Sequence, residues 1–323
     1  MIVTVSPNPS LDRTMRVEAL PRGEVVRSLR AYSEPSGKGV NVAVALHAHE
    51  IDVLAVLPAG GFAGTQITSM LAAMGVPFLA VPIADEIRSN VSLVEPDATV
   101  TKINELGPTL DRAEAASLVS AALNGVGEGD WMVACGTLPV GEVESIYTDL
   151  VVGTQVRNAR VAVDTSGEAL RKVLQYGPDL IKPNASELAE LTGRALENLG
   201  DVVDAAAELR QRGARAVLAS LGSDGAILLD DSGCYYGRAR VDSVVSAVGA
   251  GDALLAGFLA GGGSGSQALR QGMAWAAAAV QHEGTLYQGQ GVSINVEISD
   301  DPDRTRALKE PCTDWYQPEE CPR

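Results

Sequence analysis

Short β-rich runs that alternate with alanine- and leucine-rich stretches predict an α/β fold, a doubly wound, mostly parallel sheet flanked by helices. The rhythm is clearest between Val161 and Ser220, where the helical segment Val202 to Arg212 stops at Gly213. Two interruptions of the rhythm, residues 13–34 and a hairpin within residues 88–104, predict a small β lid over that body.

Taken in order, Ile2 to Val5 reads as the first strand, and Asn8-Pro9-Ser10-Leu11-Asp12 follows it, so Asp12 is expected in a loop just past a strand's carboxyl end. A carboxylate there can accept hydrogen bonds from sugar hydroxyls. Ser36-Gly37-Lys38-Gly39-Val40-Asn41 then leads into the helical run Val40 to His47. Glycines let the backbone approach a ligand, Asn41 offers a donor and an acceptor, and Lys38 is either a point charge for a phosphate or simply solvated. Val53 to Leu57 and Gln66 to Met74 continue the alternation. Val91 to Val94 and Val100 to Ile103 read as hairpin arms around Pro96-Asp97-Ala98; an odd turn places Arg88 and Lys102 on one face, an even turn separates them.

Trp131 to Ala134, Val161 to Val163, Leu180 to Ile181 and Ala216 to Ala219 are the later strands. Lys182-Pro183-Asn184-Ala185-Ser186-Glu187 opens a helix with a pattern resembling a capping box, which can also organise hydrated Mg²⁺ and phosphates. Ser220-Leu221-Gly222-Ser223-Asp224-Gly225 is a hairpin turn or a nucleotide loop. The densest signal is Gly249-Ala250-Gly251-Asp252 before the apolar stretch Ala253 to Ala260: amides that converge without Cβ interference, a helix N-terminus behind them, and a carboxylate beside them. Such a group suits an alcohol that must lose a proton as it attacks a phosphoryl group. His282 reads as a helix-end cation or packing residue, with adenine contact the alternative. The chain then changes character, and a polar tail is expected over residues 299–323 after a main domain of residues 1–298.

Composition narrows the function. Of 323 residues, 46% are apolar and 20% charged, and 41 acidic against 25 basic side chains give a net charge of −16, which opposes binding to nucleic acid or to an anionic membrane. An anionic substrate would need a local cationic cluster, which gives weight to Arg88 and Lys102. Cys135, Cys234, Cys312 and Cys321 lie far apart and show no zinc spacing with the three histidines, although Cys312 and Cys321 share the tail. With no leader pattern and no run of roughly 18 apolar residues, the expected location is cytoplasmic.

Five motifs in this order, Asn8-Pro9-Ser10-Leu11-Asp12, Gly37-Lys38-Gly39-Val40-Asn41-Val42-Ala43, Lys182-Pro183-Asn184 with Glu187, Ser220-Leu221-Gly222 with Gly225, and Val248-Gly249-Ala250-Gly251-Asp252, resemble the PfkB or ribokinase-like carbohydrate kinases. The resemblance covers roughly residues 1 to 285 and is nearest to the 1-phosphofructokinase and tagatose-6-phosphate kinase branch. It implies a ribokinase-like fold with Asp252 as general base and Gly249, Ala250 and Gly251 as anion hole. Asp12, Gly37, Lys38, Asn41, Arg88 and Lys102 would bind a phosphorylated ketohexose. Lys182, Asn184, Glu187, Ser220, Gly222, Gly225 and His282 would serve ATP, with Mg²⁺ held near Glu187 through water. A homodimer through the lid is also implied. Arg22-Gly23-Glu24-Val25 and the Gly37-Lys38-Gly39 loop look more like those of 1-phosphofructokinases than of 6-phosphofructokinases, and this resemblance implies fructose 1-phosphate going to fructose 1,6-bisphosphate, with tagatose 6-phosphate or fructose 6-phosphate as alternative acceptors. Ala247, Ala253 and His282 depart from the family's frequent Thr, Ser and Asn, but the base remains.

A noncatalytic sugar-phosphate sensor would keep the fold without needing Asp252. A dinucleotide oxidoreductase is disfavoured because Gly60-Gly61-Phe62-Ala63-Gly64 lacks the full glycine fingerprint.

Overall fold

The computed structural model describes residues 1–312 except 98, 242, 283 and 290–293. Its central sheet runs, edge to edge, Val296–Ser299, Gly233–Ala239, Ala226–Asp230, Val217–Ser220, Leu180–Ile181, Arg160–Asp164, Trp131–Cys135, Ile2–Val5, Val53–Ala59 and Phe78–Pro82. From Val217–Ser220 to Phe78–Pro82 every pairing is parallel. The three strands beyond Val217–Ser220 are antiparallel. Strands such as Ile2–Val5 and Trp131–Cys135 are buried along their whole length, which is why they read as continuous apolar runs.

Two apolar cores account for that burial. On one face the helices Lys38–Ala48, Gly61–Ala73, Ala250–Ala260 and Gly265–Ala279 cover the sheet. On the other lie Arg112–Asn124, Ile146–Val156, Gly167–Leu174, Ala185–Thr192 and Leu199–Gln211. Parallel strands send their carboxyl ends to one edge, and the loops there gather the motifs into one place.

The lid is a separate sheet in the order Arg30–Ser36, Ser10–Arg16, Arg88–Val94, Val100–Asn104. Asp12 therefore stands inside a lid strand, not in a loop: the turn at Pro7 to Pro9 is so short that pairing begins at Ser10. Its register places Ser10 beside Arg88, Asp12 between Glu34 and Asn90, and Ser92 opposite Lys102, so one lid face is polar. Val94 pairs with Val100, which leaves an odd turn of residues 95–99, and this puts Arg88 and Lys102 on the same face. Ala98 of that turn lies outside the described residues.

The expected polar tail from residue 299 is instead a strap as far as residue 312. Val296–Ser299 closes the edge of the main sheet, and Ala307–Cys312 pairs antiparallel with Leu196–Asn198. The buried Leu308 and the backbone pairing outweigh the strand's charged and proline residues. Residues 313–323, with Cys321, lie outside the described residues.

Candidate active site

Gly249 caps the helix Ala250–Ala260 in the left-handed conformation, φ 80°, and a Cβ there would lie 2.2 Å from the Thr285 carbonyl oxygen. Only glycine fits. The turn leaves Asp252 in the helix's first turn, buried at 8% exposure, where its Oδ2 accepts a hydrogen bond from Asn41 Nδ2 at 2.8 Å. Asn41 comes from the helix that follows Ser36-Gly37, so the two glycine-led helices meet at this contact. A Cβ on Gly251 would sit 3.3 Å from Lys182 Nζ, so the amide cradle has a buried ammonium at its rim. That combination suits a phosphate, the anion that adenosine triphosphate would present.

Burial pushes the Asp252 carboxyl up to about 6, helped by repulsion from Asp164 and opposed by Asn41, Lys182 and Lys38. It is thus poised to accept a proton near neutral pH. Asp164 itself, 0% exposed at the end of Arg160–Asp164, moves the other way. Its burial alone would raise the carboxyl, but Lys182 and Lys38 hold it below the ordinary range. Lys38 Nζ lies 2.7 Å from Oδ1 and Lys182 Nζ 3.0 Å from Oδ2, the latter an ion-pair contact outside hydrogen-bond alignment. For Lys38, burial works downward, yet Asp164 keeps its pKa above the ordinary lysine value.

Asp164 was missed by sequence reasoning, which ended the strand at Val163. A carboxylate directly after an apolar strand, at the sheet edge where ligands bind, was the signal available. Asn90 was missed as well: its Nδ2 donates to Asp12 Oδ1 at 2.9 Å and to Ser10 Oγ at 3.0 Å. Ser10 Oγ in turn donates to Asp12 Oδ1 at 2.7 Å, so this lid carboxylate is fixed in place.

Arg88 is half-buried, and its guanidinium donates to the Asn8 carbonyl at 3.1 Å, while Nε has no partner among the described residues. Burial lowers its pKa and Asp12 opposes that shift. Lys102 is exposed and lies about 13 Å further along the lid, a gap that two long side chains can span. Gly37 and Lys38 sit at the head of the Asn41 helix.

On the other flank, Asn184 and Glu187 form a reciprocal capping box, Glu187 N–H to Asn184 Oδ1 at 2.8 Å and Asn184 N–H to Glu187 Oε2 at 2.9 Å. Asn184 also bridges to Ser220, which brings the Ser220–Gly225 loop alongside. No group of three metal-ligating side chains occurs among the described residues. Glu187 Oε1 stays outside the capping box, so the donor set fits a hydrated Mg²⁺ completed by phosphate oxygens rather than a caged ion. His282 follows the helix Gly265–Ala279, and its buried Nε2 has no partner among the described residues.

The model of the pfkB family of carbohydrate kinases matches residues 7–289. A 1-phosphofructokinase of Haloferax volcanii is 38% identical over 289 residues, 88% of this chain and 92% of that protein. A 1-phosphofructokinase of Bacillus subtilis is 34% identical over 261 residues, 81% of this chain and 85% of that protein. The solved phosphofructokinase-2 of Escherichia coli in complex with fructose-6-phosphate superposes with a TM-score of 0.81 at 31% identity, covering 87% of this chain and 93% of that one.

Proposed function

The chain belongs to the PfkB family of carbohydrate kinases, and from that premise we propose that it transfers the γ-phosphoryl group of ATP to the 6-hydroxyl of fructose 1-phosphate. The observation that carries this reading is the Asp252 carboxylate, buried beside the Gly249–Gly251 amides and bonded to Asn41. Asp252 takes the hydroxyl proton as the sugar oxygen forms its bond to the γ-phosphorus. The bond from that phosphorus to the β-bridging oxygen breaks, and ADP leaves with the electron pair. Gly249, Ala250 and Gly251 donate amides to the phosphoryl oxygens, and Lys182 and Lys38 offset their charge.

The nucleotide lies along Asn184, Ser220, Gly222 and Gly225, with its base toward His282. Glu187 would hold Mg²⁺ through water, and the bound ion would supply neutralisation of phosphate charge. Asp12, Gly37 and Asn41 position the ring hydroxyls.

A ketohexose phosphate has a phosphate at one end and a primary hydroxyl at the other. Arg88 and Lys102 on the lid take the phosphate, which leaves the far hydroxyl at Asp252. Fructose 6-phosphate has the same polarity with the ends exchanged, and an ATP-dependent 6-phosphofructokinase isozyme 2 of Escherichia coli is 34% identical over 291 residues. Fructose 6-phosphate is therefore the second reading, and tagatose 6-phosphate follows from the same geometry. A coupled assay across the three sugars tests both: the highest kcat/KM on fructose 1-phosphate supports the first reading, and no phosphorylation of any of them contradicts the kinase chemistry proposed here.

The outer lid face supports a homodimer. Met15, Leu93 and Ile103 line a groove there, and Val25 and Leu29 are 85% and 68% exposed beside it. A second lid covers such a patch, as unpartnered apolar surface favours.

A further inference from the structure

Ser220–Gly225 joins two antiparallel strands as a short loop with left-handed glycines at Gly222 and Gly225, φ 56° and 98°. A loop of this composition has conformational freedom to lose when it meets a ligand. Its middle is nevertheless anchored. Asp224 is 2% exposed, and its backbone carbonyl accepts a hydrogen bond from Tyr236 Oη at 2.6 Å. Its carboxylate accepts one from the Lys309 backbone N–H at 2.7 Å through Oδ2, while Oδ1 has no hydrogen-bond partner among the described residues. Lys309 belongs to the strap strand Ala307–Cys312, beyond residue 289 where the family match ends.

The strap has independent reasons to stay in place. Gly200 N–H donates to the Arg304 carbonyl at 2.9 Å and Leu199 N–H to the Arg306 carbonyl at 3.0 Å, so the strap satisfies amides at the start of the helix Leu199–Gln211. The Arg306 guanidinium lies 5.0 Å over the ring of Tyr236, the same residue that holds the Asp224 carbonyl. The loop is thus gripped from behind by one element that is itself tied to a helix and to a neighbouring strand.

We infer that the strap of residues 296–312 sets nucleotide affinity, with Asp224 as a positioning residue that transmits its hold to the Ser220–Gly225 loop. This rests on the reading that the loop receives ATP. The strap lowers the ordering cost that ATP binding would otherwise carry, and it touches neither the sugar nor Asp252.

The test compares substitutions on both sides of the bond. Asp224→Ala and Lys309→Pro, which remove the acceptor and the donor, are each expected to raise the KM for ATP about tenfold while kcat and the sugar KM stay within about twofold. Asp224→Asn keeps a carbonyl acceptor and Lys309→Ala keeps the N–H, so both should retain the wild-type KM. In the unmodified chain, ATP should slow hydrogen exchange at the Lys309 amide, because coupling between two sites is reciprocal. Gly222→Asp serves as the control for the loop, read against Gly222→Asn: a Cβ there meets open space, both variants carry the same left-handed backbone cost at φ 56°, and only the carboxylate repels phosphate. An ATP KM that rises in Gly222→Asp but not in Asp224→Ala or Lys309→Pro overturns the role of the strap, as does an exchange rate indifferent to ATP. An ATP KM unmoved by Gly222→Asp overturns the placement of ATP itself.

Discussion

The charged groups at the sheet edge and those on the lid are held in different ways. At the sheet edge, Asp164 is wholly buried between Lys38 and Lys182, and Asp252 is tied to Asn41, so each side chain has its position before any ligand arrives. On the lid, Arg88 is half-buried against backbone carbonyls and Lys102 is exposed. Groups fixed in advance need little reorganisation as charge develops, whereas groups that must be drawn onto a ligand contribute mainly to binding it. The proposed reading therefore assigns the chemistry to the sheet edge and the grip on the sugar's phosphate to the lid. Substitutions at the edge should lower kcat, and those on the lid should raise KM.

The largest expected effect is that of Asp252→Asn, which should cut kcat by about three orders of magnitude while ATP still binds. The same change has an opposite effect on stability. Because the folded-state pKa lies above the ordinary value of 3.8, at about 6, the group's contribution to stability is fully present below pH 4 and lost as pH rises through 6. Asp252→Asn should thus be more stable than wild type at pH 8, on the order of 2–3 kcal/mol, and level with it near pH 4 in denaturant titrations. A destabilised variant at pH 8 would make Asp252 a structural residue.

Asp164→Ala comes next, since it leaves Lys182 buried without its counter-charge. A loss of about 3–5 kcal/mol is expected by chemical denaturation, with kcat reduced in whatever folds. Unchanged stability would mean that the lysines find other partners and that the edge is less fixed than described. Arg88→Ala should raise the KM for the phosphorylated sugar by about 10- to 100-fold with kcat nearly unchanged, as removal of a charge-assisted contact would. A kcat loss instead would move Arg88 to the chemical side of the comparison. Lys102→Ala should be the mildest, about threefold in the same KM, because an exposed ammonium is screened by solvent.

The difference between the regions also explains what the sequence made legible. Gly249 to Asp252 could be read because turn, helix start and carboxylate are contiguous, and local chemistry alone defines them. The alternation of the sheet was legible for the same reason. Asp164 was not, because its meaning comes from Lys38, 126 residues away, and from Lys182 on the neighbouring strand's end. The register of the lid hairpin depends on a turn whose length the sequence leaves open, and Asp12 reads as a loop residue because nothing local shows that strand pairing resumes at Ser10. Residues 307–312 read as part of a tail because the text from about residue 292 onward is rich in Asp and contains prolines, Pro311 among them. What makes them a strand is the edge at Leu196–Asn198 and the buried Leu308, which are tertiary facts.

The pH dependence of kcat at saturating ATP and sugar phosphate, measured side by side for wild type and Asp252→Asn, tests the proton acceptor most directly. Below a break near pH 6, wild-type kcat should fall about tenfold per pH unit, while the residual rate of Asp252→Asn stays flat. A wild-type profile that runs level through that range, or the same acid limb surviving in Asp252→Asn, would contradict it.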